Sequence, residues 1–518
     1  MECVSRGFEG RTTKVWSVNM TLSALMICMA ASTTALYAQS TLVYQFQGGS
    51  GATADGTYPN AGLVADASGN LYGTTWSGGN YSNGGCTGVG CGTIYKLTKG
   101  TSNYSESILY RFQGCVGGNC GSGSDGATPG GTLIFDSYGN LYGTTANGGN
   151  QGCSASLLGC GTVFVLCENP ASPASTTACN SQPANTEITL ARMGTSVGSN
   201  QRHPLSSLVM DGFGNLYGTS LSGSNNCGIA GCGGVFVVCA PGAGTGDPSP
   251  CVPNATSYAY NEIYQFTGLP NGAQPHGGLV MDSAGNLYGT ATLGGTNNTS
   301  AEPCGKIIDT FLISGCGLVF KLSPSGSAWT ETVLYTFLGY PTDGSYPSST
   351  LILDSSGNLY GTTEVGPRGG GTVFELSPVG NSWNESLLYK FTNRWDGGNT
   401  YGGVTLIGLN GVTYLAGNTY SGGGGNLGAV YVLKRNSGVW KEVGGIIGFA
   451  SNAQQAVYSF EDGGDYEGQC PVGTDGCNPY GNVIFLNTTI NNVTQNYLMG
   501  TTYYGGSAGF GTVYAVKP

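Results

Sequence analysis

Gly357-Asn-Leu-Tyr-Gly-Thr362 is one of five copies of the same hexapeptide; the others are Gly69–Thr74, Gly139–Thr144, Gly214–Thr219 and Gly285–Thr290. Two worn copies follow, at Gly411–Asn418 and Asn496–Thr501. Seven copies at a wide, fairly even spacing mean that one supersecondary unit was duplicated and closed on itself.

The unit reads most clearly around the copy at Gly357–Thr362. Ser349–Asp354 is a short apolar run, a first strand. Ser355-Ser-Gly-Asn358 is a tight turn, with glycine and asparagine where positive φ is needed. Leu359–Thr363 is a second strand, and a glycine-rich loop leads to a third, Gly371-Thr-Val-Phe-Glu-Leu376. After another turn, Trp383–Phe391 is a fourth. Four short antiparallel strands per repeat make the blade of a β-propeller. The third strand recurs from Gly92, Gly161, Gly234, Gly317, Gly428 and Gly511. The fourth recurs at Leu109–Phe112, Ile263–Phe266, Leu334–Phe337 and Val457–Phe460, with a blurred copy at Glu187–Arg192. Its seventh copy stands at the other end of the chain, Leu42–Phe46. The predicted fold is therefore all-β: one domain over 39–518, a seven-bladed β-propeller with four antiparallel strands per blade, whose N-terminal strand closes the last blade.

Stacked blades bury both faces of each sheet. This accounts for apolar residues at adjacent positions, such as Leu351, Ile352 and Leu353. Tyr72, Tyr142, Tyr217, Tyr288 and Tyr360 are expected between blades, each followed by a glycine that lets a neighbour approach. The fourth strands carry Glu106, Glu187, Glu262, Glu331, Glu385 and Glu442. At an outer edge these read as charge guards against strand pairing rather than as catalytic groups.

Composition agrees with a turn-rich, strand-rich chain: 93 glycines and 9% charged residues in 518. Residues 1–38 read as a secretory signal peptide. Arg6, Arg11 and Lys14 open it, Met20–Ala31 is apolar, and Ala35-Leu-Tyr-Ala38 offers the cleavage site. An uncleaved anchor is the alternative, and no later segment is apolar enough to insert in a membrane. Net charge is -11; the leader carries three basic and two acidic residues, which leaves -12 on the rest. Nothing neutralises phosphates, so nucleic acid is not an expected partner. The expected location is secreted or periplasmic.

Cysteine use fits export. Outside the leader, 16 of the 18 cysteines fall into close couples. These are Cys86/Cys91, Cys115/Cys120, Cys153/Cys160, Cys167/Cys179, Cys227/Cys232, Cys239/Cys251, Cys304/Cys316 and Cys470/Cys477. They read as local disulfides that hold glycine-rich loops. Zinc would need four ligands per site, and no couple lies beside a histidine.

The Asp-x-x-Gly-Asn-Leu-Tyr-Gly-Thr-Thr core followed by Gly-Thr-Val-Phe-x-Leu resembles the GloVer tandem repeat of exported bacterial proteins, over residues ~41–518. The resemblance implies a propeller-type repeat and export. It implies no activity, because none is established for that family. Members often end in a sorting or anchoring segment, which is not read after Pro518.

In a propeller the loops between blades and those between second and third strands emerge on one face. Here both sets are long and cysteine-bearing, and long ordered loops tend to carry function. Two constellations fall on that face. One is a ring of carboxylates and amides: Asp55, Asp125, Asn200, Asn271, Asp343, Asp396 and Asp475. It reads either as turn chemistry or as an acidic mouth. Glu461, Asp462, Asp465 and Glu467 add oxygen ligands of the kind calcium takes, at a spacing that matches no standard calcium loop. No other cofactor is called for. The second constellation is aromatic. Trp76, Tyr420, Tyr503 and Tyr504 start loops in blades one, six and seven, and Trp395, Tyr401 and Tyr58 lie in nearby loops. Flat rings in one sector of a mouth suit stacking on sugars; packing within the loops is the alternative. The candidate ligand site is thus Trp76, Tyr420, Tyr503, Tyr504, Trp395, Tyr401 and Asp396. His203 and His276 are the two histidines, too few for a histidine-rich metal or haem site.

Three functions follow. The first is a binding or scaffold protein for an extracellular polysaccharide or a cell-surface protein. The second is a polysaccharide hydrolase or lyase using mouth carboxylates such as Glu364 and Asp396. The third is a purely structural envelope or matrix protein.

Overall fold

A computed structural model describes residues 40–518 except 49–53, 80–85, 87–89, 115–124, 150–158, 169–177, 195–201, 224–226, 228–230, 243–249, 252–254, 296–303, 309–310, 327, 437–438, 443–457, 461–469 and 471–473. The chain forms a seven-bladed β-propeller, and no α-helix occurs among the described residues. In the fifth blade the strands are Ile352–Leu353, Leu359–Thr363, Thr372–Val379 and Ser382–Lys390, paired antiparallel in that order from the axis outward. The N-terminal strand Ser40–Gln45 pairs antiparallel with Thr512–Val516, Ser40 opposite Val516 and Gln45 opposite Thr512. It completes the seventh blade, as the offset of the repeats predicts.

Each residue of the repeated motif has a mechanical task. Asp66 Oδ1 accepts from the amides of Ser68 and Asn70 (2.9 Å each). Its Oδ2 accepts from Asn70 Nδ2 (2.7 Å) and the Tyr72 hydroxyl (3.1 Å). Asp136, Asp211, Asp282 and Asp354 repeat this set. At Asp66, Asp282 and Asp354 burial pulls the carboxyl upward, but the donated hydrogen bonds outweigh it and hold it below the usual range. Asn70 Oδ1 then takes the Lys99 amide from the end of the third strand (2.9 Å), pinning the turn to the sheet.

The motif tyrosine points into the gap between blades. Tyr72 meets Phe135 of the second blade edge-on at 5.2 Å, and Tyr217, Tyr288 and Tyr360 meet Trp329, Trp383 and Trp440 of the blade ahead. The following glycine makes room for the third-strand ring: a Cβ at Gly143 would stand 2.6 Å from Phe164 Cζ. Those rings (Phe164, Phe236, Phe320, Phe374 and their tyrosine counterparts Tyr95, Tyr431 and Tyr514) are fully buried.

The motif threonine fastens one blade to the next. Thr144 Oγ1 donates to Ser206 O, Thr219 to Gly277 O, Thr290 to Ser349 O, Thr362 to Gly402 O and Thr501 to Ala61 O, all at 2.9–3.1 Å. In the sixth blade Asn418 Nδ2 does the same to Gly481 O at 2.8 Å. Thr74 Oγ1 is buried at the equivalent place with no partner among the described residues.

Six disulfides form as the spacing predicts: Cys86–Cys91, Cys167–Cys179, Cys227–Cys232, Cys239–Cys251, Cys304–Cys316 and Cys470–Cys477. Cys115, Cys120 and Cys153 lie outside the described residues, as do the leader, Asn200 and the acidic stretch 461–467. Six disulfides fit an oxidising extracellular or periplasmic compartment. No helix among the described residues is long and apolar enough to cross a membrane.

The outer glutamates differ from the expected edge guards. Glu106, Glu187, Glu331 and Glu385 are half-buried at blade junctions. Glu106, Glu187 and Glu385 titrate near 7, raised first by burial and then by the loop carboxylates Asp55, Asp125 and Asp343. Glu331 instead accepts from the Tyr264 hydroxyl of the preceding blade (2.7 Å), where the loop carries Asn271 in place of aspartate.

Candidate functional site

The segments that lead into the seven inner strands lie on the loop face and surround a cavity of about 540 Å³. Each blade supplies the residue after its proline (threonine in the sixth): Asn60, Gly130, Leu205, His276, Ser348, Tyr401 and Tyr480. The next two residues of each segment form the wall below, except in the sixth blade, where only Gly402 does. Adjacent segments touch all the way round. Gly62 N donates to Thr132 Oγ1 (3.0 Å), Gly278 N to Thr350 Oγ1 (2.8 Å) and Gly403 N to Asn482 Oδ1 (2.6 Å). At the other junctions glycine permits contact with the neighbouring strand: a Cβ at Gly131 would collide with the Ser206 carbonyl, and one at Gly481 with the Ala61 backbone. A Cβ at Gly278 would collide with Ser207, and one at Gly403 would stand 2.7 Å from Thr350 O.

Aromatic residues gather on one side. Trp76, Tyr401, Tyr420, Tyr480, Tyr503 and Tyr504 line the cavity, all from blades one, six and seven. Tyr401 and Tyr480 stack at 5.1 Å, and Tyr420 stands edge-on to both, at 5.2 and 6.2 Å. Tyr58 stacks on Tyr503 at 5.0 Å, and Tyr504 stands edge-on to both, at 5.6 and 4.7 Å. Burial raises the Tyr401 and Tyr420 hydroxyls above their ordinary range, aided by Glu364 and by neighbouring tyrosines. Burial likewise raises Tyr480, and pushes Tyr503 up to about 12. These phenols are neutral at physiological pH and offer both donor and acceptor.

The opposite side, from blades two to five, presents Leu205, Ser206, Ser207, His276, Ser349 and Thr350. Among the described residues no aspartate, glutamate, lysine or arginine lines the cavity.

The structure thus brings together five of the seven candidate residues. Trp395 stays outside, 61% exposed, against Gly424. Asp396 is a correction. It is 1% exposed, and its carboxylate accepts from the Thr392 amide (2.9 Å) and the Tyr389 hydroxyl (3.3 Å). The same arrangement recurs at three other members of the carboxylate ring, while Asp475 accepts from the Ser40 hydroxyl (2.8 Å). Asp55 accepts from Tyr44 OH (2.9 Å), Asp125 from Tyr110 OH (2.8 Å) and Asp343 from Tyr335 OH (2.8 Å). Each also takes backbone amides just beyond the fourth strand. These carboxylates tie that strand to the next blade and do not form an acidic mouth. Glu364 reaches Tyr401 and Tyr480 electrostatically but does not line the cavity, so the carboxylate pair of the hydrolase reading does not assemble there. His276 lines the cavity; His203 does not, its Nδ1 lying 2.9 Å from Ala146 O. Among the described residues no cluster of three potential metal ligands occurs.

Tyr480 was not among the predicted residues. It follows the proline of its blade, and the equivalent positions compared across the repeats carry the signal.

No protein-family model matches the chain, and no curated protein matches it. Solved structures with similar folds include a protein of unknown function from Dyadobacter fermentans DSM 18053, at 8% identity and a TM-score of 0.38, covering 92% of this chain and 97% of that one. They also include a gluconolactonase from Xanthomonas campestris, at 10% identity and a TM-score of 0.33, covering 74% of this chain and 89% of that one. Neither similarity bears on chemistry.

Proposed function

We propose that this protein is an exported carbohydrate-binding propeller whose ligand sits in the axial cavity. The supporting observation is the lining among the described residues: six aromatic side chains on one side, serines and threonine with Leu205 and His276 on the other, and no aspartate, glutamate, lysine or arginine. A pyranose has an apolar C–H face and an equatorial belt of hydroxyls. The tyrosine and tryptophan rings offer flat apolar area for the first. Their hydroxyls, with the serines and threonines opposite, offer hydrogen bonds to the second. The volume lies within the roughly 300–1,000 Å³ typical of small-molecule sites.

The test is a screen of the purified, disulfide-intact protein against a neutral glycan array, followed by titration calorimetry of the hits. Tyr420→Ala is expected to weaken any hit at least about tenfold, or about 1.4 kcal/mol, with the thermal midpoint unchanged within a few degrees. An array with no hit sinks the proposal.

A further inference from the structure

Resting on that reading, we infer that the cavity takes the end of a neutral glycan chain and not its middle. The wall decides this. The segments leading into the inner strands touch at every one of the seven blade junctions, so the described wall has no lateral gap through which a chain could enter on one side and leave on the other. It is also shallow. The lining runs from Asn60 to Gly62 on one blade and from Tyr480 to Asn482 on another, three residues each. Even fully extended, three residues span at most about 11 Å, which bounds the height of that wall. An internal sugar has a neighbour on each side, and both must clear the rim. A terminal sugar has one, which points out along the axis.

One further feature bears on the same ligand. Among the described residues the lining has no lysine or arginine, so a uronate or sulfated sugar would lose its hydration with no permanent countercharge. A neutral terminal unit avoids that cost.

The experiment is calorimetry of the disulfide-intact protein with linear malto-, cello-, manno- and xylo-oligosaccharides of two to six units. Soluble neutral polymers of the same sugars, at several lengths, complete the set. An end reader binds a fixed number of protein molecules per chain whatever the length, and its affinity stops rising after about two units. In the malto series, α-cyclodextrin, which has no end, is expected to bind at least about thirtyfold more weakly than maltohexaose, or about 2 kcal/mol. Protein bound per chain rising in proportion to length, or a cyclodextrin equal to its linear counterpart, overturns the inference while leaving carbohydrate binding intact. Silence toward every linear probe overturns the carbohydrate reading and this inference with it.

Discussion

Blades two to five and blades six, seven and one share a scaffold and differ in what they carry. On the first sector the repeat is strict: the third-strand ring is phenylalanine in all four blades (Phe164, Phe236, Phe320 and Phe374), and the mouth position is Gly130, Leu205, His276 or Ser348. On the second sector the ring is tyrosine (Tyr431, Tyr514 and Tyr95), and the mouth gathers Tyr401, Tyr420, Tyr480, Tyr503 and Trp76. The Asp-x-x-Gly-Asn turn is lost in blades six and seven. There, longer hairpins replace it, Thr405–Leu409 with Val412–Thr419 and Ile484–Ile490 with Val493–Gly506. The contrast separates two kinds of position. Residues that point between blades are constrained by a neighbour on each face. Residues just before the first strand and just after the second face the axial cavity, and they vary without disturbing the ring.

The largest test of that separation is Phe236→Ala. It empties a fully buried site in the strict sector and is expected to cost about 3–5 kcal/mol in chemical denaturation, while saccharide affinity below the transition stays within about twofold. A loss of affinity equal to the loss of stability would break the comparison. Next, Tyr480→Ala on the aromatic side should weaken saccharide binding at least about tenfold, about 1.4 kcal/mol. Leu205→Ala on the opposite side should change it less than about threefold. Equal effects by calorimetry would mean that the sectors do not divide the labour.

The threonine staple sharpens the comparison at smaller scale. Thr362→Val removes a buried hydrogen bond to Gly402 O and should cost about 1–2 kcal/mol in denaturation. Thr74→Val, at the junction from the aromatic sector into the strict one, removes a hydroxyl with no partner among the described residues and should cost less than about 0.5 kcal/mol. A further test concerns pH. Glu106, Glu187 and Glu385 titrate near 7 in the fold, above the ordinary 4.5. The folded state therefore holds more protons than the unfolded one between those values, and stability declines as pH rises from about 5 to 8. Asp66, Asp282 and Asp354, held low, contribute stability that is lost only as pH falls below the ordinary 3.8. A thermal midpoint that falls from pH 5 to pH 8, with a shallower fall in Glu385→Gln, is the expected record; a midpoint that rises over that range contradicts it.

The ring, its closure and the second strands were legible because identical residues recur at one period. Leu359–Thr363 is found where it is expected. The aromatic sector was legible for the same reason at Trp76, Tyr420 and Tyr503, which stand where other repeats have Ala146, Leu221 and Thr292. The carboxylate ring was ambiguous, because Asp-Gly suits a turn and a mouth equally well. Its resolving signal lies in another strand: the tyrosine two places before the phenylalanine of the fourth strand, at Tyr44, Tyr110, Tyr335 and Tyr389, accompanies the aspartate. Trp395 carries no such signal, since its exposure depends on the course of one irregular loop. Nor does single-residue reading show that the motif threonine bonds to a strand some 40–60 residues further along, as Thr362 does to Gly402 and Thr144 to Ser206. That pairing exists only once the blades are stacked.

Ser40–Gln45 against Thr512–Val516 makes the first and last segments of the ring a single clasp. Until the final residues arrive, the opening segment has no partner and the seventh blade lacks its outermost member. Trimming either extremity therefore injures the same blade, and the two shortened forms should fail in the same way. A label placed at one extremity reports on the other.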